Sequence, residues 1–267
     1  MFPNPIMLGP LALNYYGIMV ALGLLAGLIL FSFTASRRGI PPSTARDFSF
    51  WMILAGLLGS RFFYVLFHWP EFSGNLAGVF AYWRGGLMFQ GGVIAALLIS
   101  PGFLKRYNLN FWPTADVLAP SLALGQCFGR LGCFSAGCCY GQATGVANPL
   151  AVTFPEGSLA PAHLPLLPVQ LFESFGLLVL AIILVAAIRS ASLYMAAPGR
   201  IAALYLLGAG LLRLGMEFLR GDYRGDPLLW GLPPTTLVAA AAAIVGLILL
   251  LKKRPDLELT ANREPRI

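Results

Sequence analysis

The stretch YYGIMVALGLLAGLILFSFTA, residues 15–35, carries no charged side chain. A hydrocarbon core of about 30 Å is crossed by roughly 20 apolar helical residues, so this run is long enough to span a membrane. Lipid offers no water to the polar groups of the backbone, so the run must be helical. Residues 1–10 lack the basic segment of a cleavable leader, and we therefore expect this helix to be retained.

The rest of the chain repeats this apolar pattern. Apolar residues make up 58% of the 267 positions and charged residues only 11%, whereas a soluble domain carries roughly 25% charged residues. The sequence therefore predicts an all-α, polytopic membrane protein with about seven transmembrane helices. The predicted spans are Tyr15 to Ala35, Phe48 to Phe67, Gly86 to Leu104, Thr114 to Phe134, Val169 to Ile188, Ile201 to Leu219 and Leu228 to Leu251.

The basic residues predict the orientation of these helices. Most Lys and Arg residues fall on one set of alternate loops, which the positive-inside rule assigns to the cytoplasm. These residues are Arg37, Arg38, Arg46, Lys105, Arg106, Arg189, Arg200, Lys252, Lys253, Arg254, Arg263 and Arg266. The N-terminus is thus expected outside and the C-terminus inside. This topology accounts for the net charge of +7, and we expect no nucleic-acid partner.

We expect one integral-membrane domain over residues 1–267, because no long polar linker divides the chain, with residues 252–267 as a charged cytoplasmic tail. The remaining basic residues are all arginines, namely Arg61, Arg84, Arg130, Arg213, Arg220 and Arg224. The planar fork of arginine binds phosphate through two hydrogen bonds, so this set indicates anion recognition. For Arg61 and Arg224, anchoring to lipid headgroups is an equally good interpretation.

The sixth predicted span contains Arg213, Glu217 and Arg220. Their i, i+4, i+7 spacing predicts that all three project from one helical face. A charge at the centre of a membrane costs at least about 2.5 kcal/mol, so such residues normally face a bundle interior or a wet cavity. We interpret the cluster as a functional site. An ion pair that only packs helices together is the alternative.

Two further charged residues are expected at the same outer cavity. Glu173 follows the predicted start of the fifth span, and Arg130 lies near the outer end of the fourth. Alternatively, Glu173 only stabilises the N-terminus of its helix, an effect of roughly 0.3 to 1 kcal/mol. Both interpretations of Glu173 stay open.

The glycine-dense run WRGGLMFQGG, residues 83–92, leads into the third predicted span. Backbone amides at such a helix entry, with Arg84 alongside, can hold an anionic group. The same glycines would also allow close helix packing. We predict substrate contacts here for Arg84, Gln90 and Gly91.

All four cysteines lie within GQCFGRLGCFSAGCCYG, residues 125–141. At an oxidising outer surface Cys133 and Cys138 can form a disulfide, but the spacing does not determine the pairing. The spacing does not match a familiar zinc motif, so we expect no metal. Reactive thiols beside Arg130 are a further alternative, and Cys127, in mid-span, is interpreted as a small apolar residue.

In chain order, these motifs resemble the prolipoprotein diacylglyceryl transferase family nearly end to end. The matching segments are Gly9-Pro10-Leu11 through Tyr15-Tyr16-Gly17, Gly59 to Tyr64, Gly85 to Gly92, Asp116 to Pro120, Gly129-Arg130 with Gly141, Pro168 to Glu173, Gly199-Arg200-Ile201 and Arg213 to Arg220. Each segment is a weak signal alone, and their order makes the resemblance specific.

The resemblance implies an enzyme of the bacterial inner membrane, without a cofactor, whose active site faces the outer leaflet. It would transfer diacylglycerol from phosphatidylglycerol to the lipobox cysteine of a prolipoprotein signal peptide, among membrane lipids, with glycerol phosphate departing. By position, Arg130 and Arg213 would bind the phosphate, Glu217 would orient Arg213, and Tyr16 would line the lipid site. The other predicted substrate contacts are Arg84, Gln90, Gly91, Cys133, Cys138, Glu173 and Arg220.

Several residues depart from the family pattern. The usual histidine of the Gly-Gly run is Gln90, and glutamine cannot serve as a general base. Cys133 stands where the family has Asn, and Cys138 stands where it has an acidic residue. His68 and His163, both expected near the outer surface, are candidates for the base only by elimination.

Three classes of function follow from these residues. The first is the diacylglyceryl transfer just described. The second is a related membrane lipid transferase with another acceptor, in which Cys133 or Cys138 takes part in the chemistry. The third is a non-catalytic lipid-binding or transport protein, although the paired broken helices of transporters are not seen in the sequence.

Overall fold

The structure is a computed structural model that describes residues 6–8, 11–74, 76–82, 85–190, 198–223 and 231–252. The α-helices are α1 (Tyr15–Ser36), α2 (Pro42–Phe67), α3 (Trp69–Phe72), α4 (Phe89–Arg106), α5 (Phe111–Ala136), α6 (Val169–Arg189), α7 (Arg200–Glu217) and α8 (Pro234–Leu251). A 3-10 helix, Leu76–Phe80, follows α3. The two short antiparallel strand pairs are β1 (Ile6–Leu8) with β2 (Leu11–Leu13) and β3 (Val152–Thr153) with β4 (Pro165–Leu166). The predicted all-α fold is confirmed.

Within the described residues, five helices, α1, α2, α5, α6 and α8, are long and apolar enough to cross a membrane. Large apolar side chains on them are exposed, for example Ile29 at 61% and Phe175 at 69%, as expected for faces that contact lipid. These helices confirm a multi-pass membrane protein. Helices α4 and α7 cover the other two predicted spans, and the count of seven spans and the orientation stay predictions.

Helix α4 begins at Phe89, and the predicted start at Gly86 is wrong. Gly85 and Gly86 have φ angles of 80° and 72°, in the left-handed region that glycine adopts at low cost. The chain therefore turns at the two glycines before it enters the helix. Arg84 and Arg224, like residues 228–230 of the last predicted span, lie outside the described residues, and the predicted contact of Arg84 stays a prediction.

Contacts group the chain into two compact units, Ala35–Thr114 and a larger one from Met1–Thr34 with Ala115–Ile267, and the single domain stays a prediction. In the smaller unit, α2 and α4 meet at glycines. A Cβ atom on Gly91 would lie 2.9 Å from the Gly59 carbonyl oxygen and closer still to Phe63. Small residues of this kind let helix backbones approach closely.

Arg61, in the same unit, is buried among backbone carbonyl groups. Nη1 donates to the Gly85 and Gly86 oxygens at 2.6 and 2.9 Å, and Nη2 donates to the Gly78 oxygen at 2.6 Å. Nε donates to the Val79 oxygen at 2.9 Å. Since four of its five N–H groups are used in this way, Arg61 orders the chain between α3 and α4. The structure therefore favours neither of the two sequence interpretations, anion recognition or headgroup anchoring, for this residue.

In the larger unit, α7 contacts both α6 and α8 through glycines. A Cβ on Gly176 of α6 would lie 2.7 Å from Leu212 of α7, and one on Gly210 of α7 would lie 2.8 Å from the Ala239 oxygen of α8. A side chain at either glycine would push the helices apart. The C-terminal half of α7, which carries Arg213, is thus held close to α6.

The N-terminus of α7 is held by a carboxylate of α5. Asp116 is 1% exposed and accepts hydrogen bonds from the Gly199 N–H at 2.6 Å and the Ala202 N–H at 2.8 Å. A negative charge at a helix N-terminus is favoured by the helix dipole, and the two N–H groups would otherwise be unsatisfied. Asp116 therefore fixes where α7 begins relative to α5.

Candidate active site

Glu173 of α6 joins two arginines from two other helices. Its Oε1 atom lies 2.9 Å from Nη2 of Arg130, on α5, and its Oε2 atom lies 3.6 Å from Nη1 of Arg213, on α7. The Glu173 side chain is only 6% exposed. A carboxylate buried to this extent needs partners of opposite charge, and here it has two.

The structure favours a role of Glu173 in this site over helix capping. Helix α6 begins at Val169 after Pro168, and no side chain caps it by a hydrogen bond. Neighbouring polar residues on the same turn fix the helix against α5 and the loop after it. Gln170 donates to the Cys138 oxygen at 2.8 Å, and Ser174 donates to the Cys127 oxygen at 3.0 Å. These bonds position the Glu173 carboxylate between the arginines.

The two arginines keep hydrogen-bond donors that Glu173 does not use. Arginine has five N–H donors, and one carboxylate can engage only some of them on two guanidinium groups. Nη1 of Arg213 is buried and lies 3.6 Å from Glu173 Oε2, which is beyond hydrogen-bond distance, so it has no hydrogen-bond partner among the described residues. A buried donor without a partner is rare in folded proteins and points to a ligand that accepts from it. The arrangement can hold an anion with two or more oxygens.

Arg220 is held differently from Arg213, and the prediction that both project from one helical face is wrong. Helix α7 ends at Glu217, and Arg220 pairs with Gly141 in an isolated β-bridge. Its Nε and Nη2 atoms donate to the two carboxylate oxygens of Asp222 at 2.8 and 2.6 Å. Burial opposes the charge of Arg220, but hydrogen bonds to Asp222 and Cys139 outweigh it and raise the pKa of the guanidinium. Most of the Arg220 fork is therefore occupied by protein groups.

Three cysteines meet beside these arginines. The sulfur atoms of Cys133, Cys138 and Cys139 lie within 4.8 Å of one another, and all three are free thiols. The pKa of the Cys139 thiol lies well below its ordinary value, because hydrogen bonds from Cys133 and Cys138 and the nearby Arg220 charge stabilise its thiolate. The pKa of Cys138 is raised, because hydrogen bonds with Cys133 and Cys139 favour its neutral form. Cys127 is buried away from this cluster, with its sulfur 3.1 Å from Ser174 Oγ.

Tyr16, at the start of α1, lies beside both groups of residues. It is within electrostatic range of Arg130 and of the three clustered cysteines. Gly132 of α5 makes room for its ring, because a Cβ there would lie 3.2 Å from Tyr16 Cδ2. The structure thus brings together the predicted residues Tyr16, Arg130, Cys133, Cys138, Glu173, Arg213 and Arg220.

The other predicted site residues in the described part of the chain are Glu217, Gln90 and Gly91. Glu217 follows Arg213 by one turn of α7, but the carboxylate seen to pair with Arg213 is that of Glu173. Gln90 and Gly91 belong to the smaller unit, at the start of α4, where Gln90 is exposed and Gly91 is a packing residue. Their contacts with substrate stay predictions.

The two histidines considered as bases have other partners. His68 follows α2, and its ring stacks on the Tyr64 ring with the ring centres 4.2 Å apart. Its Nδ1 atom lies 3.0 Å from the backbone carbonyl oxygen of Tyr64. His163 is exposed and lies 3.3 Å from Glu156. The sequence prediction missed Gln170, Asp222 and Cys139, which hold or complete the site. Of these three residues, only Cys139 was indicated by the sequence, because it lies in the cysteine cluster next to Cys138.

Comparisons with known proteins identify the family of this chain. A family model described as prolipoprotein diacylglyceryl transferase matches residues 3–252. A relative from Synechococcus elongatus is 32% identical over 227 residues, which are 82% of this chain and 77% of the relative. A relative from Clostridium tetani is 33% identical over 211 residues, 79% of this chain and 82% of the relative. Both relatives are named phosphatidylglycerol–prolipoprotein diacylglyceryl transferase.

The family match extends over nearly all of the chain. It covers the arginines, the carboxylate between them and the cysteine cluster, and it includes both compact units. The family name also confirms the predicted class of enzyme, a transferase. The chain belongs to the prolipoprotein diacylglyceryl transferase family.

Proposed function

We propose that this protein transfers the diacylglyceryl group of phosphatidylglycerol to the lipobox cysteine of a prolipoprotein and forms a thioether. The observation that carries the proposal is the ion-pair group in which Glu173 holds Arg130 and Arg213 together. The two arginines keep hydrogen-bond donors that Glu173 does not use. The names of the relatives supply the reaction, because each names phosphatidylglycerol and a prolipoprotein.

The chemistry of this transfer calls for a pair of cations at the phosphate. A thiolate attacks the glycerol carbon next to the phosphate oxygen, and the carbon–oxygen bond breaks. The phosphodiester enters with one negative charge and leaves as glycerol phosphate with two. Arginines that are already in position stabilise the new charge in the transition state more than the single charge in the ground state.

The residues of the site have distinct roles in the proposal. Arg130 and Arg213 bind the phosphate oxygens, and Glu173, which pairs with both guanidinium groups, holds them side by side. Glu217, one turn from Arg213 on α7, assists its orientation. Tyr16 lines the path of the lipid chains beside the arginines.

The proposed location follows from the charges at the helix ends. The ends of α4 and α6 and the start of α7 carry Lys105, Arg106, Arg189 and Arg200, which favours a cytoplasmic position for these ends. With seven spans, the N-terminus then lies outside. Arg130 and Glu173 lie at the opposite ends of α5 and α6 from that side. The active site would therefore face the outer leaflet of the bacterial inner membrane.

The test uses purified full-length protein in detergent micelles that contain phosphatidylglycerol and a lipobox peptide. Peptide mass and released glycerol phosphate are followed together. We expect a peptide heavier by one diacylglyceryl group and glycerol phosphate in equal amount. Replacing the peptide cysteine by serine should abolish both products, and so should replacing the donor by phosphatidylethanolamine. An unmodified peptide, under conditions where a relative is active, contradicts the proposal.

Matched variants connect the activity to the site. Arg130→Ala should remove transfer, because the phosphate loses a partner held at 2.9 Å from Glu173. Arg189→Ala is the control, since Arg189 is an exposed arginine at the other end of α6. Equal activity of the two variants would show that the arginine pair takes no part in the reaction.

A second candidate function, transfer to another acceptor, is favoured by the cysteine cluster and by Gln90. The assay separates the two candidates. Release of glycerol phosphate together with an unmodified lipobox peptide would favour another acceptor.

A further inference from the structure

The arrangement of Cys133, Cys138 and Cys139 has the dimensions of a metal site. No two of their sulfur atoms are more than 4.8 Å apart. Zinc–sulfur bonds of about 2.3 Å in a tetrahedron put neighbouring sulfurs about 3.8 Å apart. Small side-chain rotations therefore bring all three sulfurs into bonding distance of one ion. The spacing along the sequence does not indicate this, because folding brings Cys133 to the adjacent pair.

The backbone around the cluster is shaped to bring the sulfurs to one side. Cys139 has a φ angle of 61°, in the left-handed region, which costs a residue other than glycine on the order of 1 to 3 kcal/mol. Side chains of adjacent residues in an extended chain point to opposite sides, and this left-handed turn prevents that. The Cys138 N–H donates to the Cys133 oxygen at 3.1 Å, and Gln170 holds the Cys138 oxygen. Such strain is maintained where the surrounding structure requires it, commonly at ligand sites.

The number and type of ligands indicate the kind of ion. Thiolates select soft ions, zinc or copper(I), over magnesium or calcium. Structural zinc sites use four protein ligands, whereas catalytic sites use three and keep the fourth position open. Three thiolates around a divalent ion leave one net negative charge, and Arg220, which also pairs with Asp222, lies beside Cys139. The cluster thus matches a three-ligand site.

From this geometry we propose that Cys133, Cys138 and Cys139 bind one zinc ion, whose open position binds the acceptor thiol. The second half rests on the proposed function. Tyr16 interacts electrostatically with these thiols and with Arg130, and Cys139 does so with Arg213, so the thiol cluster and the arginine pair are neighbours. A zinc-bound thiol is deprotonated, which supplies the thiolate without a general base.

The bonds and charges of this step balance. The acceptor thiol releases its proton to solvent when its sulfur binds zinc. The new carbon–sulfur bond forms as the carbon–oxygen bond to phosphate breaks, and the electron pair of that bond stays on the phosphate oxygen. Glycerol phosphate leaves as a dianion against Arg130 and Arg213. The thioether is neutral and a weaker ligand than a thiolate, so it leaves the ion.

Zinc itself is the first probe. Reduced full-length protein in detergent is incubated with zinc, freed of excess by a weak chelator and analysed for metal. We expect one zinc per chain, and with cobalt in place of zinc we expect the intense absorption of a tetrahedral cobalt–thiolate site. Reduced protein that retains no zinc and shows no such absorption overturns the proposal. This holds also if Cys133 and Cys138 form a disulfide in the protein as isolated, before reduction.

The cysteine variants identify the ligands. Cys133→Ser, Cys138→Ser and Cys139→Ser should each lose the bound zinc, whereas Cys127→Ser, a buried thiol outside the cluster, should keep it. Should a variant fail to fold, native protein gives an independent measurement. Zinc should protect Cys133, Cys138 and Cys139 from alkylation in the wild-type protein. Equal labelling of the three with and without zinc contradicts the site.

The transfer assay separates the site from the function. Both halves of the proposal, the zinc site and its role in binding the acceptor, are supported if the protein binds zinc, a strong chelator abolishes transfer and added zinc restores it. Zinc binding in a protein that never forms product keeps the site and refutes the proposed function, and with it the acceptor role. Transfer that survives both the chelator and the combined replacement of the three cysteines keeps the function and overturns the role of the metal.

Discussion

Replacing Glu173 by Gln tests the arginine pair without changing the size of the side chain. The carboxylate is 6% exposed and lies 2.9 Å from one guanidinium and 3.6 Å from the other. The amide keeps an acceptor for one arginine, but its NH₂ group faces the second arginine as a donor. Two buried cations would then stand together without a shared anion.

The cost can be estimated from these distances. Two unit charges 4 Å apart interact by about 4 kcal/mol at an effective dielectric constant of 20, so each contact is substantial. Removing one partner of a buried ion pair costs about 3 to 5 kcal/mol in total, since desolvation is not recovered. We expect Glu173→Gln to unfold at lower temperature and to lose transfer by about 10²- to 10³-fold, as when one transition-state donor is misplaced.

The assay measures initial rates of peptide thioether formation and thermal unfolding for the same preparation. Glu173→Asp should recover part of the rate, because it restores the charge although the side chain is shorter. Glu156→Gln is the matched control, since Glu156 is 84% exposed. If Glu173→Gln transfers at a rate within about twofold of the wild type, the carboxylate does not position the arginines.

Three further predictions concern single residues. Arg213→Ala should reduce the transfer rate by about 10²- to 10³-fold at near-normal expression, measured by product formation, and unchanged turnover would remove Arg213 from the mechanism. Asp116→Ala should lower the free energy of unfolding by about 1.5 to 3 kcal/mol, because two N–H groups at the start of α7 lose a charged acceptor. Thermal unfolding measures this loss, and Asp47→Ala, at an exposed residue, should not show it. Gly91→Ala should destabilise the protein because its Cβ would meet α2, whereas Gly102→Ala, with nothing within 4 Å, should not; a change confined to the KM for phosphatidylglycerol would instead show that Gly91 contacts substrate.

Much of the fold is readable from the sequence, because the membrane requires long apolar helices. Helices α1, α5 and α6 begin or end close to the predicted limits for this reason. The errors lie where local backbone conformation decides. The left-handed turn at Gly85 and Gly86 delays α4, and apolar periodicity contains no information about it.

The site was predictable in its residue types but not in its pairings. Charges within apolar spans identify Arg130, Glu173 and Arg213, because burial of a charge is costly without function. Sequence spacing, however, suggests Glu217 as the partner of Arg213, while the fold brings in Glu173 from another helix. Arg220 looks equivalent to Arg213 in sequence, yet the end of α7 turns it toward Asp222.

The most direct measurement is the ratio of the two products formed by the wild-type protein from phosphatidylglycerol and a lipobox peptide. Mass spectrometry quantifies the peptide thioether, and an enzymatic assay quantifies glycerol phosphate in the same sample. We expect equal amounts that rise together with time. Glycerol phosphate without modified peptide, or neither product from folded protein under conditions where a relative is active, would contradict the proposed function.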